Sequence, residues 1–344
     1  MRAVWVEDWK PFEELQLEQV PSPTIGPRQV RIAVQAAGVS FATSLVVQGK
    51  YQRKPPRPFA PGTEVAGIVT EVGPQVSKFR RGDRVCSILD WGGLAEEAAA
   101  FEVNTFRIPD ALPFPEAISF TNSYGTSAAA FLWPHLLHVQ KRDWLLVHGA
   151  AGGVGIAAVE IGKILGAKVI AAASSQEKLD LVRAHGADHA INYREQDFRE
   201  AVLDITKGAG VDKVYDPVGG DVFMQSLRCM APEGRIMPVG FAGGTIQQIP
   251  ANLLLVKNLT VCGLNMGYYA GWSPNDVRYA YEDRYRSLMN QLFDWYVGGR
   301  IKPVAGTVYP LERFQEAMAD VLGRKSLGRV AIVMDKEAKK HGFA

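Results

Sequence analysis

Residues 144–155 read Trp-Leu-Leu-Val-His-Gly-Ala-Ala-Gly-Gly-Val-Gly, an apolar run that ends in a glycine cluster and continues into the helix-forming stretch Ile156–Leu165. This order predicts a strand, a tight turn and a helix. Gly149 suits the turn, Gly152 lets the backbone approach a bound pyrophosphate, and Gly155 permits close packing of helix on strand. The helix N-terminus offers N–H groups and a positive dipole end to phosphates. The residues predicted to meet the cofactor here are Gly149, Gly152, Gly153, Val154 and Gly155.

The pattern that follows is typical of a parallel sheet. Lys168–Ala173 reads as a second strand after one helix length, which completes a strand-helix-strand unit of about 30 residues. Strand and helix patterns alternate as far as Gly263, and this alternation favours a sheet wound on both faces by helices. The predicted strands are 144–148, 168–173, 189–192, 211–215, 235–239 and 259–263, and the predicted helices are 153–166, 176–185, 195–206 and 219–229.

The chain before this region has a different pattern. Val30–Ala36 alternates in hydropathy, Val65–Val72 is rich in β-branched residues, and turns such as Gly26-Pro27 recur. These features predict a mostly β domain with few helices.

The chain after Gly263 continues with a helical stretch at 276–296 and strands near Val304 and at 329–334. It is too short to form a third domain, so we expect it to pack back onto the first. The predicted organisation is therefore a β-rich domain over 1–121, a nucleotide-binding domain over 122–265 and a return segment over 266–344.

The charge balance is close to neutral. The 344 residues include 38 Lys and Arg and 36 Asp and Glu, a net charge of +2, which is not the footprint of a nucleic-acid-binding protein. No window reaches the ~18 uninterrupted apolar residues of a membrane span, and the N-terminus lacks a signal-peptide pattern. We expect a cytoplasmic protein that binds neither nucleic acid nor membrane. Cys86, Cys229 and Cys262 are too scattered for a disulfide framework and are predicted to be small buried hydrophobes.

Several strings along nearly the whole chain match one family. They are Gly38-Val39-Ser40-Phe41, Pro61 to Val69, Gly82-Asp83-Arg84-Val85, Tyr124-Gly125-Thr126, His148 to Gly155 and Ala187 to Tyr193. Together they resemble the zinc-independent quinone oxidoreductase branch of the medium-chain dehydrogenase/reductase superfamily, to which zeta-crystallin also belongs. The resemblance implies an α/β fold, with a GroES-like β-rich catalytic domain interrupted by a Rossmann doubly wound parallel-sheet domain. It also implies an active site in the cleft between them.

The same resemblance predicts that no metal is bound. Where zinc-dependent relatives carry a cysteine ligand this chain has Ser40, and where they carry the histidine of a Gly-His-Glu string it has Thr63. The third-ligand region, residues 121–123, contains neither Cys nor His, so only Glu64 remains. One carboxylate does not hold Zn²⁺, which takes three protein ligands even in an open catalytic site.

The end of the second strand of the nucleotide-binding domain predicts NADPH as cofactor. An NAD-preferring site usually has Asp or Glu there, about 20 residues after the glycines, whereas this chain has Ser174. A carboxylate would repel a 2′-phosphate, while Ser174, Ser175 and Lys178 supply two hydroxyls and a cation at a helix N-terminus. A capping box, in which Ser174 caps the helix and Glu177 reaches back, is compatible with this interpretation.

Family positions extend the predicted cofactor site. By resemblance, Lys178, Tyr193 and Arg324 surround the adenosine 2′-phosphate. The positions implied for the nicotinamide end are Phe41, Thr43, Thr126, Gly240 and Phe241.

The sequence contains no nucleophilic triad and no carboxylate pair in a compelling context. Quinone reduction needs little acid-base help, because hydride goes to an electron-poor carbon and the product oxyanion takes a proton from water. Tyr51 matches a family tyrosine of the substrate cleft; it either orients a carbonyl or passes a proton, or it fills the base of a loop. Many relatives have Asn and Asp where this chain has Ser40 and Thr43.

Three hypotheses for the function remain open. The first is an NADPH:quinone reductase acting on a small electrophile. The second is an NADPH-dependent enone or enoyl-thioester reductase, for which a basic loop containing Lys50, Arg53, Lys54 and Arg57 either attracts a coenzyme A phosphate or forms a solvated rim. The third is an NADPH-binding protein with negligible turnover. The short apolar strand 259–263 would form a sheet edge, so we also expect a homodimer joined along that edge of the Rossmann sheet.

Overall fold

The computed structural model describes residues 1–343, and their contacts divide the chain into two compact units. The β-rich unit comprises Met1–Asn122, Met266–Asp294 and the chain from Pro303 onward. The parallel-sheet unit comprises Ser123–Asn265 and Trp295–Lys302. Within the described residues, no helix is both long enough and apolar enough to cross a membrane.

The strands and helices of both units are numbered in chain order. The strands are β1 (Arg2–Trp5), β2 (Gln16–Gln19), β3 (Gln29–Gly38), β4 (Glu64–Val72), β5 (Arg84–Ile88), β6 (Glu97–Phe101), β7 (Thr105–Arg107), β8 (Trp144–Val147), β9 (Lys168–Ala173), β10 (His189–Asn192), β11 (Val211–Asp216), β12 (Met230–Pro238), β13 (Thr260–Val261), β14 (Ala305–Pro310) and β15 (Arg329–Val333). The helices are α1 (Phe41–Val47), α2 (Phe114–Ser119), α3 (Gly125–Leu132), α4 (Gly153–Ile164), α5 (Gln176–Ala184), α6 (Phe198–Ile205), α7 (Gly220–Ser226), α8 (Ala251–Lys257), α9 (Met266–Tyr269), α10 (Glu282–Val297), α11 (Phe314–Leu322) and α12 (Asp335–Lys340). A π-helical turn, Phe120–Tyr124, connects α2 to α3.

The β-rich unit is built around one large sheet. Its strand order is β14-β15-β3-β4-β5-β7, with β6 also paired to β3, and β1 and β2 form a separate two-stranded sheet. Val30, Ile32 and Val34 of β3 are at most 1% exposed, while the residues between them are half-buried. This alternation places one face of β3 in the core, as its period-2 pattern predicted.

The parallel-sheet unit holds one sheet of parallel strands in the order β10-β9-β8-β11-β12-β13. Consecutive residues of its central strands, Leu145–Val147 and Val169–Ala172, have no exposed surface. A strand buried on both faces is typical of a parallel sheet covered by helices on each side. The chain runs outward from β8 through β9 to β10 and then crosses back past β9 and β8 to β11, so the direction of winding reverses between β8 and β11. In such sheets, ligands bind outside the carboxyl ends of the strands at this reversal.

The α/β fold class predicted from the sequence is confirmed, and most differences concern element ends. Strands β9 and β10 match their predicted bounds, whereas β12 starts five residues before the predicted 235 and β13 shortens the predicted 259–263 to two residues. The start of β12 was missed because it contains a proline and a glycine, which favour turns. Helix α6 begins at Phe198 rather than 195, because the Asp197 carboxylate accepts from the backbone N–H groups of residues 199 and 200 and caps it.

The C-terminal return of the chain is interrupted. Residues 295–302 belong to the parallel-sheet unit, not to the β-rich unit. Their contacts explain this, since the backbone N–H of Lys302 donates to Glu160 Oε1 at 3.0 Å and Arg300 donates to the carbonyl of Ile164 at 3.4 Å. The sequence pattern of 266–344 carried no signal for these polar contacts.

Candidate functional site

The glycine-rich turn at the carboxyl end of β8 has the geometry that its sequence predicts. Gly149 has φ 54°, in the left-handed region that favours glycine, and its carbonyl accepts from the N–H of Gly152 at 3.0 Å. Gly152 is the N-cap of α4, so Gly153, Val154 and Gly155 form the first helical turn. A Cβ on Gly155 would lie 2.3 Å from the Gly149 oxygen, which leaves room only for glycine. The turn therefore brings the first N–H groups of α4 to the edge of the sheet.

Buried polar side chains hold this turn in place. Ser127 of α3 donates to the carbonyl of Val154 at 3.0 Å and shares a second hydrogen bond of 2.9 Å with the hydroxyl of Tyr215. His148, immediately before the turn, bonds Ser226 through Nε2 at 2.8 Å, and burial lowers the pKa of its imidazole to about 3. His148 is therefore neutral near pH 7 and acts as a fixed hydrogen-bonding group.

Helix α3, which carries the predicted site residue Thr126, is tied to α4 by a second buried network. The hydroxyl of Tyr124 donates to Glu160 Oε2 at 2.6 Å, and Nδ1 of His185 lies 2.7 Å from Glu160 Oε1. Thr126 itself is 6% exposed. Sequence reasoning missed Ser127 and Glu160, because their partners lie 25 to 142 residues away along the chain.

The residues predicted at the adenosine end lie on two neighbouring strand ends. Ser174 follows β9 and Tyr193 follows β10, and the last residues of these strands are paired in register. The backbone N–H of Tyr193 donates to the carbonyl of Ala173 at 3.2 Å, and its side chain is 44% exposed. Lys178 lies in the first turns of α5. The structure thus brings Ser174, Tyr193 and Lys178 to one edge of the parallel-sheet unit.

The predicted cap of α5 is wrong by one residue. Ser175, not Ser174, is the N-cap, and its hydroxyl accepts from the backbone N–H of Lys178 at 3.5 Å. Strand β9 runs to Ala173, so Ser174 occupies the connection and the helix begins at Gln176. Glu177 is consequently not three residues after the cap, and the capping box with Ser174 does not form.

The carboxyl ends of β11 and β12 complete this edge of the parallel-sheet unit. Gly240 and Phe241 follow β12, and a Cβ on Gly219 would lie 2.9 Å from the Phe241 ring. The fully buried Asp216 ends β11 and accepts from the N–H groups of Val218 at 2.8 Å and Gly219 at 3.1 Å. Burial raises the pKa of Asp216 to about 6. Sequence reasoning missed Asp216, although its position between a buried strand and two glycines was a usable signal.

The remaining predicted site residues belong to the β-rich unit. Phe41 begins α1 and is 39% exposed, whereas Thr43 in the same helix is 5% exposed. Tyr51 lies in the loop after α1, and burial raises the pKa of its phenol, so the hydroxyl is protonated near neutral pH. Arg324 lies just beyond α11, and its φ of 54° is unusual for a residue other than glycine.

The positions that correspond to metal ligands in zinc-dependent relatives have other contacts. Ser40 caps α1, and its hydroxyl accepts from the backbone N–H of Thr43 at 3.3 Å. Glu64 is 1% exposed and forms an ion pair with Arg329, and it also accepts from the side chain of Asn122. Across residues 1–343, no three His, Cys, Asp or Glu side chains group in a way that could hold a metal ion. Cys86, Cys229 and Cys262 are buried and form no disulfide, as predicted.

The basic loop after α1 is largely engaged by neighbouring groups. Arg53 pairs with Asp90 at 3.0 Å and lies over the Trp91 ring. Arg57 pairs with Asp8 at 2.7 Å, and Lys50 donates to the side chain of Gln48. Two of the four basic side chains of this loop, Arg53 and Arg57, therefore already have carboxylate partners within the β-rich unit.

Two family models match the chain in the order of these units. The alcohol dehydrogenase GroES-like domain matches residues 26–110, and the zinc-binding dehydrogenase family matches residues 153–282. These matches confirm the predicted GroES-like and Rossmann-like architecture.

Relatives and solved structures agree with this assignment. Quinone oxidoreductase-like protein 2 of Bos taurus is 41% identical over 319 residues, covering 92% of this chain and 88% of the relative. Escherichia coli quinone oxidoreductase complexed with NADPH superimposes with a TM-score of 0.85 at 28% identity, covering 97% of this chain and all of the other. Mycobacterial Rv1454c complexed with NADPH gives a TM-score of 0.87 at 29% identity and the same coverage. The chain therefore belongs to the medium-chain dehydrogenase/reductase superfamily, as an oxidoreductase of its quinone oxidoreductase family.

Proposed function

We propose that the protein reduces quinones with NADPH and without a metal ion. The observation that carries the cofactor proposal is the end of β9, where Ser174 stands in place of an acid and Lys178 and Tyr193 lie at the same sheet edge. A hydroxyl and a cation favour a 2′-phosphate, which a carboxylate would repel. The two quinone oxidoreductase structures with NADPH support the proposal by analogy.

The parallel-sheet unit fits a dinucleotide at the glycine turn. A Cβ added to Gly152 would meet only the Gly149 oxygen, at 3.3 Å, so the space beside this glycine is open and its backbone can approach a phosphate closely. The first turn of α4 has no acidic residue to oppose that phosphate. We assign the pyrophosphate to the N–H groups of Gly153, Val154 and Gly155.

Metal independence is supported by the contacts of Ser40 and Glu64, which occupy positions of metal ligands in zinc-dependent relatives. The buried carboxylate of Glu64 is already neutralised by Arg329, and a cation beside it would have to displace that guanidinium. Breaking a buried ion pair by removing one partner costs about 3–5 kcal/mol. Ser40 contributes its oxygen to the cap of α1 instead of to a metal. Neither position is therefore available as a ligand without rearrangement.

The side chains of the chain serve mainly to bind and position the reactants. NADPH, when bound, supplies a hydride to an electron-poor carbon of the substrate. Tyr51 holds its proton near neutral pH and can donate a hydrogen bond to a substrate oxygen, but it is a poor base. An acceptor that takes hydride without prior protonation suits these residues, and quinones meet that condition better than simple ketones.

The experiment that tests the cofactor is a comparison of NADPH and NADH dissociation constants for Lys178→Ala. A charge-assisted contact is worth roughly 1.5–3 kcal/mol, so NADPH should bind about 10- to 100-fold more weakly while NADH changes little. Lys168→Ala is the matched control, because Lys168 is the first residue of β9, at the opposite end of that strand from Ser174, and its ammonium lies over the Trp144 ring. Equal losses for both cofactors in Lys178→Ala would remove the basis of the proposal.

The reaction itself is tested by a panel of substrates. Steady-state NADPH oxidation should be faster with ortho- and para-quinones than with ketones, aldehydes or crotonyl-type thioesters. Faster reduction of a thioester, abolished by Tyr51→Phe, would favour the enoyl-thioester alternative, whereas no turnover with tight NADPH binding would favour a non-catalytic role. The engaged basic loop is the observation against the thioester, since Arg53 and Arg57 already have carboxylate partners.

We also propose a homodimer joined along β13. This strand is an edge of the parallel sheet, and nearby α8 presents Leu255 and Val256 at 78% and 74% exposure. Exposed apolar side chains beside an unpaired edge favour association with a second copy. Light scattering should give twice the chain mass at micromolar concentration, and Leu255→Asp with Val256→Asp should give monomers. A monomeric parent protein would contradict the proposal.

A further inference from the structure

The loop between α1 and β4, which contains Tyr51, makes few backbone hydrogen bonds. The N–H of Lys50 makes the last such bond before Tyr51. In the part of the chain that the structure describes, no backbone group of residues 51–58 pairs with another backbone group. Pairing resumes at Phe59, which exchanges two hydrogen bonds with Val6. Side-chain contacts must therefore determine where Tyr51 lies.

The two ends of this loop pack on Trp9. A Cβ on Gly49 would lie 3.0 Å from the Trp9 ring, and the Phe59 ring lies 6.0 Å from it, centre to centre. Arg57 lies over the same ring at 4.9 Å and pairs with Asp8, whose side chain is 86% exposed. An ion pair this exposed contributes little to stability, so the ring contacts are what hold the ends of the loop.

A carboxylate outside the loop holds its middle. Arg53, two residues after Tyr51, donates from Nη1 to Asp90 Oδ1 at 3.0 Å, and its guanidinium lies 5.5 Å from the centre of the Trp91 ring. The side chains of Arg53 and Asp90 are only 27% and 17% exposed. A charge-assisted hydrogen bond that is shielded from solvent is stronger and less screened than an exposed one. The Arg53–Asp90 pair therefore fixes the part of the loop that contains Tyr51.

The position of Asp90 is fixed in turn by its own surroundings. The backbone N–H groups of Leu89 and Gly92, on either side of it, donate to carbonyls of the chain before β4 at 2.7 and 2.8 Å. Its two carboxylate oxygens also accept from Nη2 of Arg278 at 3.1 and 3.2 Å. Arg278 is 3% exposed, and its Nε donates to Asp276 at 2.8 Å. One carboxylate thus connects the loop after α1 to the segment before α10 through two guanidinium groups.

We propose that Asp90 is a positioning residue for Tyr51: through Arg53 it holds the loop so that the Tyr51 hydroxyl is oriented before a substrate oxygen arrives. The inference rests on the proposed function, in which Tyr51 donates a hydrogen bond to that oxygen. A loop that is already held in place has less conformational freedom to lose when substrate binds, so the hydrogen bond favours binding more strongly. Asp90 acts only through Arg53 and does not itself contact the substrate.

Tryptic cleavage of the native protein tests whether Asp90 holds the loop. The loop offers trypsin two bonds, Lys50-Tyr51 and Arg53-Lys54, because its other two basic residues precede prolines. Asp90→Asn should raise the rate of cleavage at these bonds by at least about 10-fold, measured by mass spectrometry, because a released loop opens more often to the protease. An unchanged rate would overturn the proposal.

Two further variants make the cleavage test specific. Asp8→Asn is the matched control, because it releases Arg57 at the end of the loop and leaves the Arg53–Asp90 pair intact, so it should not change the rate. Arg53→Met removes only the contact with the loop and leaves Asp90 paired with Arg278. If Asp90→Asn fails to fold, Arg53→Met decides through the rate of cleavage after Lys50.

A double-mutant cycle on quinone reduction tests whether the loop acts through Tyr51. Asp90→Asn and Tyr51→Phe should each lower kcat/KM by about 3- to 10-fold, and the double variant should lose no more than Tyr51→Phe alone. The NADPH dissociation constant should not change in Asp90→Asn. Losses that multiply, or a Tyr51→Phe variant with the kcat/KM of the parent protein, would overturn the proposal. If the parent protein reduces no quinone, the proposed function fails, whereas the cleavage rates still decide whether Asp90 holds the loop.

Discussion

Gly152 and Gly155 stand three residues apart in the same turn, yet the structure predicts opposite effects of replacing them by alanine. A Cβ on Gly155 would lie 2.3 Å from the oxygen of Gly149 and 2.6 Å from Cα of Ala150, and both contacts are with backbone. A Cβ on Gly152 would meet only the Gly149 oxygen, at 3.3 Å, and its φ of −81° suits any residue. We expect Gly155→Ala to destabilise the fold and Gly152→Ala to leave it intact.

The magnitude for Gly155→Ala follows from two opposing effects. Overpacking by one methyl group costs about 1–3 kcal/mol, whereas replacing glycine by alanine in a helix returns up to about 1 kcal/mol. A net loss of about 1–2 kcal/mol should lower the melting temperature by roughly 2–8 °C, at about 2–4 °C per kcal/mol for a domain of 150–250 residues. Gly152→Ala should change the free energy of unfolding by less than about 0.5 kcal/mol.

The affinity for NADPH is a second property that distinguishes the role of Gly152 from that of Gly155. A methyl group on Gly152 would occupy the space through which we propose that a phosphate approaches, so NADPH should bind at least about 10-fold more weakly to Gly152→Ala. Thermal unfolding followed by circular dichroism and fluorescence titration with NADPH measure both effects. A Gly152→Ala variant that binds NADPH normally, or a Gly155→Ala variant with unchanged melting temperature, would refute the reasoning.

Three further substitutions test residues outside the glycine turn. The folded pKa of Asp216, about 6, lies above its ordinary 3.8, so its protonation stabilises the fold at low pH, and that contribution is lost as pH rises from about 4 to 6. Between pH 4 and 7, urea unfolding should show the free energy of unfolding of Asp216→Asn rising by up to about 3 kcal/mol relative to that of the parent protein. A difference between the two proteins that does not change with pH would contradict this prediction. Gly38→Ala would place Cβ 2.3 Å from Glu64 Oε2, and urea unfolding should show a free energy of unfolding about 1–3 kcal/mol below that of the parent protein. A variant as stable as the parent protein would refute this packing argument. Tyr51→Phe should lower quinone turnover by less than about 10-fold, because water can protonate the product; a loss of ~10² or more would assign Tyr51 a proton-transfer role.

The glycine turn could be predicted from the sequence because its causes are local. A left-handed φ at Gly149 and the contact of Gly155 with residues 149 and 150 both arise within seven residues. The apolar runs of β8 and β9 likewise identify strands buried on both faces, whatever else the chain contains. Local geometry therefore explains why β9 and β10 were predicted to the residue.

The groups that support the site could not be predicted in the same way. The cap of α5 depends on whether β9 ends one residue earlier or later, and both Ser174 and Ser175 are suitable caps by residue type. Asp216 becomes a buried acceptor only because the loop after β11 folds back over its carboxylate. In both cases the side chain is visible in the sequence, but its role depends on where the backbone turns.

Glu64 is a residue for which physical chemistry requires a partner that the sequence alone does not identify. The sequence identified it as the one remaining residue of a lost ligand set, and a buried carboxylate must be either protonated or paired with a cation. That rule requires a partner but does not select one of the 38 lysines and arginines. The partner, Arg329, lies 265 residues away and is placed by the antiparallel pairing of β15 with β3, where Gly38 leaves room for the ion pair. The identity of the cation therefore follows from sheet topology, which a single sequence does not contain.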